Sequence, residues 1–569
     1  MVRVRSFLAV KSLARNIVLT AALSGAPVGA AHAQDAQAAP EQLEGAVDVQ
    51  SGEPQRSPDR FFIAALDVVG ATMLPPAEIE RLVYQFTGPG KSGQDVDAAR
   101  KAIQDAYAAK GYEAVIVDIP TQETALFQQG IVQIRVNESP VGAIQVVDAR
   151  HHGEGRIMSD LPSLQKGRPL DLKALQSDLA AANRFPDRTV SPAFKPGKEP
   201  GSIDVDLNVQ DSLPIHASAE LNNDNSPSTT DLRASGSVRY SNLFGAGHTL
   251  SVSAIVAPRA PKESKVFSGS YLAPFIGSPW SVLVYGYNSN SNVAALGGTN
   301  VLGDGFQSGL RGIYRLPTKS TSQSVSFGID YKDFNQKIFV GGVNAGTTPI
   351  NYLPLVVEYN FARGGEYTQF DASLGMTAGI RAIKKVRQIC TAGQVICTPV
   401  DQFQDKAVDS TENFFRLNLG LNYQYSTKSD IVLKLGVNGQ LADTHLVSNE
   451  QFGLGGSSSV RGYYQSEAVA DNGVGGSLEI QSPSLATVFG NFVDELRFFG
   501  FVDAGYTYLL GRVPTDQAKD FTLVGAGGGL RIRLLGHLSG NVIAGVPLVA
   551  GPVSKKGDPR VTFQVKSEF

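Results

Sequence analysis

The sequence is short of several things, and each shortage excludes a class. It has two cysteines in 569 residues, too few for a disulfide scaffold. Cys390 and Cys397 lie close together in a polar stretch. They could pair in an oxidising compartment, and with no histidine beside them they do not read as a metal site. After the first 33 residues there is no run of roughly 20 apolar residues, so no membrane helix is expected. The net charge is -3, which gives no general affinity for nucleic acid. No Ser/His/Asp constellation and no cofactor motif is present. The closely spaced glycines at 525–529 precede no helix, so they do not read as a phosphate cradle. In a barrel such glycines relieve crowding and permit bending. His151 and His152 lack further ligands at metal spacing and read as a solvent-exposed pair. Asp443 and His445 lie near each other in an outer loop without the second acidic pair a protease would need. No enzyme is expected.

What is present has a clear order. Arg3, Arg5, Lys11 and Arg15 precede a short apolar stretch, and Ala31-His32-Ala33 supplies small residues where a signal peptidase reads. Residues 1–33 therefore read as a cleaved export signal. Residues 34–59 are rich in Ala, Gln, Asp, Glu and Pro and read as a linker, or as a plug helix if something hosts the stretch around Pro40 to Val49. Residues 60–137 then read β-α-α-β-β, with Val96, Ala99, Ile103 and Tyr107 as the stripe of the longer helix. Residues 138–211 repeat that unit. Ile203, Val205, Leu207 and Val209 alternate along its last strand, which ordinary core packing explains.

From residue 212 to 569 the helical period disappears. About sixteen alternating segments of roughly ten residues follow, the length and pattern of tilted membrane strands. Leu417, Leu419 and Leu421 oppose Arg416, Asn418 and Asn422, and Leu530 and Ile532 oppose Arg531 and Arg533. An even count suits a closed barrel, and lipid cannot satisfy an open sheet edge. The final "VTFQVKSEF" is amphipathic and ends on Phe569. In "LRFFGFVDAGYTY", Asp503 has the parity opposite to Leu496, Phe498, Val502 and Tyr506, so it points into the lumen. A carboxylate there wants a cation.

These pieces carry a resemblance. "FGLGGSSSVRGY" (452–463), "FFGFVDAGYTY" (498–508) and "NLFGAGHTL" (242–250) behind two such α+β units resemble the outer-membrane transporters of two-partner secretion (TpsB). These are the haemolysin-activator and filamentous-haemagglutinin transporters of the Omp85 superfamily. The implied fold is a transmembrane antiparallel β-barrel preceded by two small periplasmic POTRA domains. The resemblance implies that a loop at 447–470 folds back into the pore. Its Val460, Arg461, Gly462 and Tyr463 would form the functional motif, with Arg461 meeting Asp503 and Gly455 and Gly456 allowing the turn. Phe569 would be the signal read by the barrel-assembly machinery. The implied partners are outer-membrane lipid and an unfolded secreted exoprotein, a TpsA-like adhesin, haemolysin or related protein. The POTRA domains would catch it and the barrel would pass it outward without ATP. Two alternatives stay open: an assembly factor of the same superfamily, which usually carries more POTRA domains, and a passive porin, which leaves the N-terminal units without a role.

Overall fold

The computed structural model describes residues 60–569 except 184–186, 228, 276, 297–298, 319, 341–342, 384–385, 391–396 and 512–517. The export signal and the 34–59 stretch lie outside the described residues.

The first α+β unit packs helices Pro76–Val83 and Gly93–Ala109 on a three-stranded sheet. Its strand order is Ala65–Val69, Ile131–Asn137, Ile116–Asp118. The first helix starts on prolines, whose fixed φ suits a first turn. The second starts on a Ser92/Asp95 capping box. Val96, Ala99, Ile103 and Tyr107 are all buried. The second unit places Ile203–Asp211 between Val141–Val147, parallel to it, and Arg188–Pro196, antiparallel. Val205, Leu207 and Val209 join one apolar core with Leu175 of the helix Leu172–Ala182. A short helix, Glu154–Ser159, was not anticipated.

His152 corrects the sequence reading: it is buried, not solvated. The carboxylate of Asp211 is the reason. It accepts from the backbone N–H groups of Arg150, His151 and His152 at 3.1, 2.7 and 2.9 Å, and the His152 Nδ1 lies 3.3 Å away. Burial lowers the His152 pKa, an effect Asp211 only partly opposes. Burial pushes Asp211 upward, but these donors outweigh it and hold the carboxyl below its ordinary value.

Sixteen antiparallel strands close into a barrel, from Ile215–Asn222 to Arg560–Glu568, and these two pair with each other. Apolar side chains face outward along alternate positions: Phe498, Val502 and Tyr506 are exposed on one strand, while Phe499, Phe501 and Asp503 between them are buried. That alternation gives lipid an apolar wall and leaves the interior polar. Strand length departs from the ten-residue expectation. Trp280–Leu296, Thr299–Leu316, Ser322–Val340 and Val343–Gly364 run 17, 18, 19 and 22 residues, longer than a bilayer requires.

Candidate functional site

Residues 443–471 connect the strands Val432–Ala442 and Asn472–Gln481. They form an inward hairpin in which Phe452–Leu454 pairs with Ala468–Ala470. Glycine makes the fold-back sterically feasible. Gly455 and Gly456 sit at φ +108° and +96° with neighbouring backbone pressed against the space a Cβ would take. Gly462, at φ +101°, rests 3.2 Å (measured from an ideal Cβ) from the backbone of Gly545, Val546 and Pro547. A Cβ on Gly525 would overlap the Arg461 carbonyl. Small residues on the wall thus let the loop backbone lie directly against the strands.

At the tip, Arg461 is locked to the wall. Its Nε and Nη2 donate to the two Asp503 oxygens at 2.7 and 2.8 Å, and its backbone N–H adds a third bond at 3.0 Å. Nη1 pairs with Glu479, Nη2 also reaches Ser477 Oγ at 3.0 Å, and the guanidinium lies 3.7 Å from the centroid of the Phe501 ring. Glu479 is held in turn by Arg531 at 2.7 and 3.2 Å, and Arg531 stacks over Phe499. Two cations and two carboxylates therefore balance in a site where Asp503 has no exposed surface. The planar fork of arginine suits this bidentate geometry. Val460 and Tyr463 are buried in a small cluster with Leu454, Ala468 and Leu523. The Tyr463 hydroxyl reaches the carbonyl oxygens of Val524 and Val549 at 2.9 and 2.7 Å. Glu467 accepts from the backbone of Val553 and Ser554, tying the loop to its outer neighbour. A polar cavity of about 550 Å³ lies beside the tip, lined by Asp371, Lys434, Ser457 and Arg461 among others.

The structure thus brings Gly455, Gly456, Val460, Arg461, Gly462, Tyr463 and Asp503 into one place. Glu479, Arg531, Phe499 and Phe501 were missed. Parity could have found Glu479, since it alternates with Leu478 and Ile480, which are exposed on the outer face. His445 pairs with Asp471 at 2.7 Å, while Asp443 accepts from the Phe415 N–H. Phe569 lies apart from the loop site. Its backbone pairs both ways with Ala217, at 2.9 and 2.8 Å, and extends the closing ladder. Cys390 and Cys397 face each other in register across a short ribbon, Val386–Cys390 with Cys397–Asp401. Their side chains lie outside those described.

Comparison with known proteins agrees with this architecture. Residues 201–532 match the family described as haemolysin secretion/activation protein ShlB/FhaC/HecB, and residues 61–139 match the POTRA domain of ShlB type. The outer membrane transporter CdiB of Escherichia coli is 24% identical over 504 residues, 86% of this chain and 79% of the relative. The heme/hemopexin transporter protein HuxB of Haemophilus influenzae is 22% identical over 70% of this chain and 67% of its own length. The solved structure of CdiB from Escherichia coli superposes with a TM-score of 0.63 at 19% identity, covering 92% of this chain and 93% of that one. BamA from Haemophilus ducreyi lacking POTRA domains 1–3 shares the fold, with a TM-score of 0.51 at 13% identity over 90% of this chain and all of that one. The chain belongs to the ShlB/FhaC/HecB family, the two-partner secretion transporters of the outer membrane, whose POTRA domains are periplasmic.

Proposed function

We propose that this chain moves one dedicated exoprotein, in an unfolded state, from the periplasm through its barrel to the cell surface. The observation that carries this reading is the loop bridged across the lumen and held by Arg461 on Asp503, a plug that must yield for a chain to pass. No step needs ATP or catalysis, and folding of the partner outside supplies the drive. Residues 1–33 are removed on export, residues 34–59 act as linker or plug, and Phe569 presents the last strand to the barrel-assembly machinery. Residues 60–137 and 138–211 act as the two POTRA domains, and the exposed belt of the 212–569 barrel meets the lipid.

Capture of the partner falls to the sheet edge of the second unit. An extended chain can add a strand to an open edge, with main-chain bonds giving affinity. Of its two edges, Arg188–Pro196 is closed. The Asn183 amide takes both the N–H and the carbonyl of Val190, at 2.6 and 2.9 Å. Pro192 and Pro196 share the phase of Val190 and lack the N–H an added strand would use. In the first unit Gln104 similarly occupies the Val117 N–H and the Val115 carbonyl. Val141–Val147 contains no charge and no proline; Arg168 and Gly167 take the N–H and carbonyl of Val141 at its start, at 2.9 and 2.7 Å, and the stretch from Ile144 to Val147 is left to receive the partner. A photo-crosslinker at the exposed Gln145 is expected to trap the exoprotein in cells, while one at the exposed Ser191 is not. Trapping at Ser191 alone would show that the edges have been assigned the wrong way round.

A further inference from the structure

The tip is not the loop's only attachment. At its stem, the side chain of Glu450 has no exposed surface. Lys332 Nζ and Tyr352 Oη donate to one of its oxygens at 2.6 and 2.5 Å, and Arg416 Nε lies 3.0 Å from the other. These partners come from three strands, Ser322–Val340, Val343–Gly364 and Phe415–Ser426. The Gln440 amide then binds the carbonyl of Glu450 at 2.9 Å and that of Asp471 at 3.0 Å, holding both feet of the loop together. Above this cluster Leu446 and Val447 of the loop pack with Phe334, Ile350, Phe403 and Phe414. The tip attaches elsewhere on the wall, to Asn472–Gln481 and Val493–Tyr508. The loop therefore spans the lumen between two sectors, each fixed by a buried ion cluster.

We propose that Glu450 is a second anchor, a positioning residue that holds the loop stem across the outer mouth and keeps the resting barrel closed to ions. A buried carboxylate between two cations has little purpose on a loop that is already fixed at its tip, unless the stem must stay seated while the tip moves. Loss of its charge leaves Lys332 and Arg416 uncompensated beside apolar packing, a strongly unfavourable arrangement. The stem then swings away, and the two freed cations line the opening.

The test uses the full-length chain in planar bilayers, with abundance in the outer membrane and heat-modifiable migration as controls for a folded barrel. Glu450→Gln is expected to raise open-channel occupancy about tenfold or more and to shift selectivity toward anions. Glu450→Asp, which keeps the charge, is expected to fall between this variant and the native chain. Native occupancy and selectivity in Glu450→Gln would overturn the proposal. So would a higher occupancy without the anion shift, since the freed cations would then not line the opening. If Glu450→Gln does not accumulate, Arg416→Gln takes its place. It keeps the Lys332 pair, so a smaller rise is expected, and no rise would overturn the proposal. The inference rests on the transport reading only for its purpose. That reading fails separately, if the native chain exports no partner.

Discussion

Replacing Arg461 by alanine tests the lock at the tip. The change deletes two charge-assisted bonds to Asp503, the contacts with Glu479 and Ser477, and the stacking on Phe501. Glu479 keeps Arg531. Asp503 loses its cation while remaining fully buried. Removing one partner of a buried pair costs about 3–5 kcal/mol, which lowers the ratio of seated to unseated tip by roughly two to three and a half powers of ten. Tyr463 and Glu467 still hold the neighbouring backbone, so the tip should loosen without release of the whole loop. Spin labels at Ser458 and at Ser253 on another part of the wall, with Cys390 and Cys397 replaced by serine, would report the tip position. Arg461→Ala should broaden the distance distribution, and Asp503→Asn added to it should recover part of the native peak by removing the uncompensated charge. A charge-reversal swap is a poorer test, because it would set an aspartate beside Glu479. An unchanged distribution in Arg461→Ala, or no recovery in the double variant, would refute the reasoning.

Other outcomes follow from the same geometry. Gly525→Ala should unseat the tip by about 1–3 kcal/mol, although it touches neither charge, because its Cβ overlaps the Arg461 carbonyl. Gly500→Ala, whose Cβ meets only the Gly527 oxygen at 3.8 Å, should leave the spin-label distances unchanged. Acidification should loosen the second POTRA domain. The folded His152 has a lowered pKa, so its contribution is complete above the usual 6.5 and is lost as pH falls toward the folded value. Asp211, also lowered, adds a second loss below the usual 3.8. Amide protection factors near residues 150–152 in the full chain, taken relative to the intrinsic exchange rate at each pH, should fall below pH 6.5, and His152→Gln should remove that first phase. Val146→Pro should weaken partner capture, since Val146 turns its N–H away from the sheet. Unaltered crosslinking from Gln145 would contradict this.

The barrel was legible because lipid on one side and polar lumen on the other impose a period of two, strand after strand, which no soluble helix unit shares. Asp503 could be placed in the lumen by parity alone, and the glycines around Arg461 announced a tight turn. Strand length was not legible in Trp280–Leu296 or Val343–Gly364, because beyond the bilayer nothing forces alternation and the polar "NSNSN" at 288–292 resembles a loop. Glu450 left no local signal, since its partner Lys332 is 118 residues away. Asp211 and Asn183 went unread for a related reason: each satisfies backbone groups, and such bonds leave no pattern in side-chain type. His152 was misread because a histidine pair without ligands looks solvated until the buried carboxylate beneath it is seen.

The most direct test of the transport account compares secreted and outer-membrane proteins in cells with the native chain, without it, and with Arg461→Ala. The account predicts that one or two large exoproteins vanish from the medium when the chain is absent and fall with Arg461→Ala, while other outer-membrane barrels keep their levels. A broad loss of unrelated barrels would contradict it and indicate an assembly factor. No change in either fraction would leave only a passive pore.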